Sequence, residues 1–232
     1  MLILAADTSG KHGSVALARG DGDILDAIEV VPLQGGTFSA QLIPQVAGLL
    51  SKHKFTKADI DGLAVVSGPG SFTGLRVGLA AIKALAEILH KPIAAASLLE
   101  VIAFELKKTA AAPQLMIALD AGRGEVFVGE YDVSAELPAF MAESLLSFDE
   151  LAHRAAEFAV VYTPDENVLQ NLNSGDGRQS STRTILVDRP NALSVAQLGY
   201  KKILAGQTIL PEALDATYIR RADAEIKKPT PT

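Results

Sequence analysis

The sequence contains no cysteine and no tryptophan. Without a thiol there is no disulfide, no thiolate metal site and no cysteine nucleophile, which suits a reducing compartment. Histidine is also scarce: His12, His53, His90 and His153 stand alone, none three or four residues from another. A histidine pair at helical spacing, the usual start of a zinc-type centre, is therefore missing. Positive charge does not cluster beyond the doublets Lys107-Lys108, Lys201-Lys202, Arg220-Arg221 and Lys227-Lys228, and the formal net charge is −6. Nucleic-acid binders concentrate basic residues on one face, because phosphate neutralisation supplies much of their affinity, so this chain alone is not expected to grip nucleic acid. No uncharged run is long enough to cross a bilayer. The start, Met-Leu-Ile-Leu-Ala-Ala-Asp, lacks the basic residues and long apolar run of a secretory signal. A cytoplasmic location is expected.

What the sequence does have is apolar material. Of 232 residues, 48% are hydrophobic and 21% charged, enough for one large domain or two small lobes sharing a core. Apolar runs at Leu2–Ala6 and Ser14–Arg19 read as a hairpin of buried strands, with Ile24–Val30 as a third. A loop at 32–37 leads into a helix over Ala40–Lys52, whose Pro44 is tolerable only in or near the first turn. Leu63–Ser67 reads as a strand and Phe72–His90 as a helix that Pro92 ends. Ser97 and Glu100 have capping-box spacing and open a helix to about Lys108, as do Ser147 and Glu150 for a helix to about Glu157. Leu115–Leu119, Glu125–Tyr131, Ala159–Tyr162 and Thr184–Val187 read as strands. The polar stretch Asn171–Thr182 reads as a surface loop, and a last helix from Asn191 or Ser194 is ended by Gly206. Lys227–Thr232 is expected to fray.

Two phrases repeat. Leu2-Ile3-Leu4-Ala5-Ala6-Asp7 and Leu115-Met116-Ile117-Ala118-Leu119-Asp120 are each an apolar strand closed by an aspartate, then a short glycine-containing turn and a second strand. This pattern suggests a duplicated unit, although two buried strands can also resemble each other by composition alone.

The densest motif is Ser67-Gly68-Pro69-Gly70-Ser71-Phe72-Thr73-Gly74-Leu75-Arg76-Val77-Gly78, between a strand and a helix. It fails as a dinucleotide fingerprint, because the third glycine comes one position late. It fails as a P-loop, because no lysine follows Gly74. Ser71 is not in a Gly-x-Ser-x-Gly elbow, which removes a serine hydrolase reading. Gly70, Gly74 and Gly78 recur every four residues, placing them in a stripe on one side of a helix that Ala80, Ala81 and Ala84 extend. Each glycine costs roughly 1 kcal/mol relative to alanine, so the stripe implies close approach of another backbone, from within the chain or from a partner.

The run Gly-Pro-Gly-Ser-Phe-Thr-Gly-Leu-Arg-Val-Gly is similar to the signature of the TsaB (YeaZ) family. So are the opening Ile-Leu-Ala-Ala-Asp-Thr-Ser, the Asp120–Tyr131 stretch with Ala-Gly-Arg-Gly-Glu-Val-Phe, and Tyr218-Ile219-Arg220 near the end. The resemblance runs through the whole chain in order. It implies an α/β architecture, the duplicated actin-like (ASKHA, ribonuclease-H-like) fold, with two lobes that each carry a mixed sheet flanked by helices. The lobes would span 1–108 and 109–207, with a segment at about 208–226 packing back on the first and a tail at 227–232.

The resemblance also implies a role. Members of the family pair with a catalytic paralogue, TsaD, which transfers a threonylcarbamoyl group to the adenosine beside the anticodon of ANN-decoding tRNAs, and an ATPase, TsaE, joins them. This chain would be the non-catalytic subunit, with no catalytic residue, metal or cofactor of its own and with tRNA reached only through the complex. Pairing with TsaD, or with a second copy, would use the helices at Ala40–Lys52 and Phe72–Leu89. The interface set is Leu42, Gln45, Val46, Leu49, Gly70, Phe72, Gly74, Arg76, Val77, Gly78 and Ala81. Relatives often carry His-Ser before the Leu-x-Pro of the first helix, where this chain has Phe38-Ser39.

A second reading belongs to a different class. Actin-like ATPases hold Mg-nucleotide between their lobes with two strand-end acids. Asp7-Thr8-Ser9 and Asp120-Ala121-Gly122 preserve that outline, so Asp7, Thr8, Ser9, Asp120 and Gly122 are the candidate residues for weak nucleotide binding in an ATPase or kinase-like enzyme. Gly175-Asp176-Gly177 is a poor match to the adenosine motif such an enzyme would need.

Overall fold

The computed structural model describes residues 1–110, 112–173, 182–217 and 219. The chain first lays down β1 (Leu2–Asp7), β2 (His12–Asp21), β3 (Ile24–Gln34), α1 (Phe38–Lys52), β4 (Gly62–Gly68), α2 (Phe72–Leu89), β5 (Ile93–Ser97) and α3 (Leu98–Leu106). It then repeats the series as β6 (Gln114–Gly122), β7 (Glu125–Asp132), β8 (Ala139–Ser147), α4 (Phe148–Ala155), β9 (Val160–Thr163), α5 (Glu166–Asn173), β10 (Arg183–Leu186) and α6 (Ala192–Leu204). The sheets are ordered β3-β2-β1-β4-β5 and β10-β9-β6-β7-β8. In each, the first three strands form an antiparallel meander, the fourth joins the opening strand in parallel and the fifth joins the fourth in parallel. The repeated strand-aspartate phrases are β1 and β6, the equivalent central strands of a duplicated mixed-sheet fold.

Central position explains their composition. Every residue of β1 is buried, because helices cover both faces of its sheet, and such strands read as continuous apolar runs. Helices α1 and α2 lie on one face of the first sheet, and α6 lies across the other. Helix α3 packs on β6 and β7 of the second sheet and touches α6, so these two helices form the layer between the sheets. By chain order α6 belongs to the second repeat, yet it packs on the first sheet. The large hydrophobic cluster accordingly runs through both halves, while a smaller one, including Met116, Val126, Leu151 and Phe158, lies beneath α4 and α5.

Local chemistry sets the helix ends. Ser147 and Glu150 form the predicted capping box. Ser97 caps α3 through the Leu99 amide, but Glu100 turns away to the Lys202 ammonium at 2.7 and 2.8 Å, so the second predicted box does not close. Helix α1 begins earlier than expected, at Phe38, which puts Pro44 in its second turn. The proline and Ala40, whose carbonyl loses its amide partner to the proline, are both exposed. Residues 171–173, read from sequence as the start of a loop, complete α5; Ser174–Ser181, including Gly175-Asp176-Gly177, lie outside the described residues. Past α6, Ile209 bridges to Ile93 on the edge of the first sheet and the Thr217 amide donates to the Ser67 carbonyl at 2.8 Å. Tyr218 and Arg220–Thr232, with the predicted tail, lie outside the described residues.

Candidate functional sites: the cleft between the sheets and the α1–α2 face

In an open sheet, loops at the carboxyl ends of parallel strands gather where strand direction changes. Here they bring together Asp7 at the end of β1, Gly70 after β4, Asp120 near the end of β6, Asp165 after β9 and Arg189 after β10. Asp7 is 3% exposed. Its Oδ1 accepts the Ser9 amide at 2.8 Å and the Ser9 hydroxyl at 2.6 Å. Burial pushes the Asp7 carboxyl up, while the Ser9 bonds and the Arg189 guanidinium pull it back. Asp120 is exposed. Its Oδ1 accepts its own turn's Gly122 amide at 2.7 Å, and its Oδ2 accepts the Asn167 side-chain amide at 2.9 Å. The Asp120 amide in turn donates to Asp165 Oδ2 at 2.8 Å, and Arg189 stands 3.7 Å from Asp165 Oδ1. Among the described residues no three His, Asp or Glu side chains converge as a metal-binding group.

The glycine stripe is what lets the first of these turns sink into the fold. The Thr8 hydroxyl donates to the Gly74 carbonyl at 2.8 Å. The Ser71 amide donates to the Ser9 carbonyl at 2.7 Å. A Cβ on Gly74 would run into the Thr8 carbonyl oxygen, one on Gly78 into the Thr8 hydroxyl, and one on Gly70 into the Ser9 carbonyl oxygen. What approaches these glycines, backbone at Gly70 and Gly74 and a side chain at Gly78, therefore comes from the same chain; only Gly74 and Gly78 lie on α2, and Gly70, expected in the same helical stripe, precedes the helix. Phe38 is buried and fills the space beside Gly13 and Gly74, so this position serves the core.

The α1–α2 face needs a change of phase. Leu42, Val46 and Leu49 are turned into the core, and Gly74 and Gly78 are covered by Thr8, so none of these five offers a surface. Gln45 and Phe72 are exposed, Val77 and Ala81 are half-buried, and the exposed Arg76 lies with its guanidinium carbon 3.6 Å from the Phe72 ring centre. The outward ridge of α2 runs Phe72, Arg76, Ala80, Ala84 and Ile88 at four-residue spacing, all exposed, with Ile88 at 67%. Beside it, α1 exposes Ile43, Pro44, Ala47 and Gly48. Two neighbouring ridges of small and apolar residues in water are unusual on a helix pair whose other side already packs on a sheet. Sequence reasoning missed Ile43, Ala47 and Ile88 as outward residues, and it set Ala80 and Ala84 in one stripe with Gly74 and Gly78, whereas the glycines are buried and the two alanines lie on the exposed ridge; the apolar residues one position after Leu42 and Val46 were the available signal. It also missed Arg189, Asp165 and Asn167, which converge only through the parallel pairing of β6, β9 and β10.

Comparison with known proteins agrees with this architecture. Residues 30–172 match the family described as TsaD: tRNA N6-adenosine threonylcarbamoyltransferase. The chain is 29% identical over 241 residues to the tRNA threonylcarbamoyladenosine biosynthesis protein TsaB of Escherichia coli, covering 99% of both chains. The chain belongs to the TsaB (YeaZ) family. A Pseudomonas aeruginosa crystal structure described as similar to peptidase YEAZ superposes with a TM-score of 0.76 at 24% identity, over 94% of this chain and 99% of that one. An inorganic polyphosphate/ATP-glucomannokinase from Arthrobacter shares the fold at a TM-score of 0.55 and 11% identity, over 88% of this chain and 99% of that one. The TsaB family works in tRNA threonylcarbamoyladenosine biosynthesis. No helix among the described residues is long and apolar enough to cross a membrane.

Proposed function

We propose that this TsaB-family chain is a non-catalytic subunit that binds and supports a TsaD-type threonylcarbamoyltransferase, with a TsaE-type ATPase joining the pair. The observation that carries the reading is the double ridge on α1 and α2: Ile43, Pro44 and Ala47 beside Phe72, Arg76, Ala80, Ala84 and Ile88, exposed to solvent on helices whose core-facing sides are already satisfied. Small residues permit close helix–helix approach, while Phe72, Arg76 and Ile88 supply the large side chains that anchor an interface. The acidic balance of the chain favours contact with tRNA through the complex. The protein works in the cytoplasm, where its tRNA substrate complex would be found.

Reconstitution tests this. A TsaD-type subunit and a TsaE-type ATPase from the same organism are incubated with ATP, threonine, bicarbonate, the enzyme that makes threonylcarbamoyl-adenylate, and an ANN-decoding tRNA. Mass spectrometry of the digested tRNA then reads threonylcarbamoyladenosine. Modification should depend on this chain, and the chain without the TsaD-type subunit should give none. Modification at full rate in its absence, or by the chain without that subunit, would sink the proposal.

A further inference from the structure

The charges between the two sheets do not all balance. A cavity of about 490 Å³ opens there, walled by Ser97 at the end of β5, Glu100 of α3, Tyr131 of β7, Phe140 and Glu143 of β8, and Lys202 of α6. That volume is in the range of sites for small organic molecules. A lysine ammonium has three protons to donate. Those of Lys202 are spent on the two Glu100 oxygens, at 2.7 and 2.8 Å, and on the Ala95 carbonyl at 3.1 Å. The Glu100–Lys202 pair is therefore closed on itself and neutral.

Glu143 is the carboxylate left over. It is half-buried, its hydrogen bonds come from the uncharged hydroxyls of Tyr131 and Ser97, and no Lys, Arg or His among the described residues pairs with it. Burial and the Glu100 charge hold its carboxyl above the usual value, as expected of an acid without a counter-ion. Beside it stands Phe140, 67% exposed, with its ring edge-on to Tyr131 at 6.3 Å between centres. In a regular strand residues three apart point to opposite faces. Here the register of β8 on β7 slips by one residue, so that Phe140 pairs with Tyr131 and Glu143 with Gly129, two residues of one β7 face. The bulge thus turns an exposed aromatic ring and an unbalanced carboxylate to the same side, the kind of re-aiming that bulges provide.

We propose that this cavity is a binding site for an organic cation, a guanidinium or alkylammonium group whose N–H groups donate to the Glu143 carboxylate and whose charge rests against the Phe140 ring. The two residues supply the two attractions such a group uses, a charge-assisted hydrogen bond and an aromatic face. A guanidinium, planar and weakly hydrated, suits the ring best. Two sources carry this chemistry: a free small amine or guanidine, and the chain's own Arg220 and Arg221, which follow Thr217 of the cavity wall in sequence.

The test is isothermal titration calorimetry of the full-length chain with butylguanidinium, without any partner subunit or tRNA, so that its outcome is independent of the partner-subunit reading. At pH 8 the probe should bind the double variant Arg220→Gln, Arg221→Gln, in which the chain's own candidate cations are gone. Equal affinity in the native chain marks a free molecule as the occupant, and affinity at least about tenfold weaker in the native chain marks its own arginines. In the double-variant background Glu143→Gln, which keeps an acceptor for Tyr131, should weaken binding about tenfold or more. Phe140→Ala should weaken it about threefold, and Glu87→Gln, at an exposed site on α2, should change nothing. Affinity should also fall towards pH 5, as the Glu143 carboxyl takes up its proton. Circular dichroism confirms that each variant is folded, and the exposed Phe140 keeps the test open if Glu143→Gln is not. No binding by the folded double variant, or binding that neither Glu143→Gln nor Phe140→Ala weakens, would overturn the proposal.

Discussion

The Thr8 hydroxyl donates to the Gly74 carbonyl at 2.8 Å, and the Thr8 backbone lies where a Gly74 side chain would be. This contact joins the turn after β1 to the first turns of α2, and it explains a glycine stripe whose sequence alone allowed an external partner.

Gly74→Ala is therefore predicted to destabilise the fold. Overpacking costs about 1–3 kcal/mol, and a collision with backbone puts this site at the upper end. Alanine's helix preference returns roughly 1 kcal/mol, leaving a net loss of about 2 kcal/mol by urea denaturation. Gly78→Ala meets a hydroxyl that can rotate away, at the expense of its bond to Gly74, and should lose less. Gly48, on the exposed side of α1, has open space where a Cβ would stand, with nothing within 4 Å; Gly48→Ala should stabilise by about 0.5–1 kcal/mol. Equal responses at all three positions would contradict the packing described.

Between the sheets, the Lys202 ammonium is held by both Glu100 oxygens and by the Ala95 carbonyl, with side chains only 13% and 15% exposed. Lys202→Met should cost about 3 kcal/mol, because it leaves a carboxylate buried without its partner. Glu100→Gln added to that variant should recover about 1 kcal/mol or more. A double-mutant cycle by chemical denaturation measures the coupling, and strict additivity would show that the pair does not hold α3 to α6.

A pH dependence follows from Glu143, which accepts a hydrogen bond from the buried Tyr131 hydroxyl. Burial, reinforced by the Glu100 charge, raises its carboxyl above the usual value, while bonds from Ser97 and Tyr131 oppose the shift. In the window above the unfolded value of about 4.3 and below the raised folded value, the native state holds more protons than the unfolded chain. The stability contribution of this group is thus full at low pH and is lost as pH rises through the folded value. Glu143→Gln keeps an acceptor for Tyr131 without the charge. Its melting temperature should exceed that of the native protein at pH 8, and the difference should shrink towards pH 4. A gain of the same size at both ends would remove ionisation as the cause.

Much of the fold was legible because its key strands are central. Leu2–Ala6 and Leu115–Leu119 had to be apolar throughout to lie between two helical layers, and the repetition of each run with its closing aspartate exposed the duplication. Strand β8 was not legible: Ala139–Ser147 is half-buried to exposed along its length and shows no clean alternation. The position of α6 on the first sheet was hidden for another reason, since an apolar helix face does not say which sheet it covers. The same ambiguity misassigned Leu42, Val46 and Leu49. A core-facing row and a partner-facing row are both apolar, and only the phase of α1 against the sheet distinguishes them. In the cleft, Asp7 and Asp120 announced themselves as strand-end acids, whereas Arg189 depends on a loop that the first repeat lacks.

The most direct test of the partner-subunit account is light-scattering chromatography of this protein mixed with a TsaD-type subunit from the same organism. Ala80→Glu with Ala84→Glu places charge on the exposed ridge of α2 without disturbing Gly74, Gly78 or the core, and glutamate is compatible with a helix. The account predicts a 1:1 complex with the native chain and association weakened by about a hundredfold or more in the folded double variant, the effect of disrupting the centre of an interface. Undiminished association by the variant would contradict the assignment of this surface, and no complex with the native chain under any nucleotide or tRNA condition would contradict the account itself.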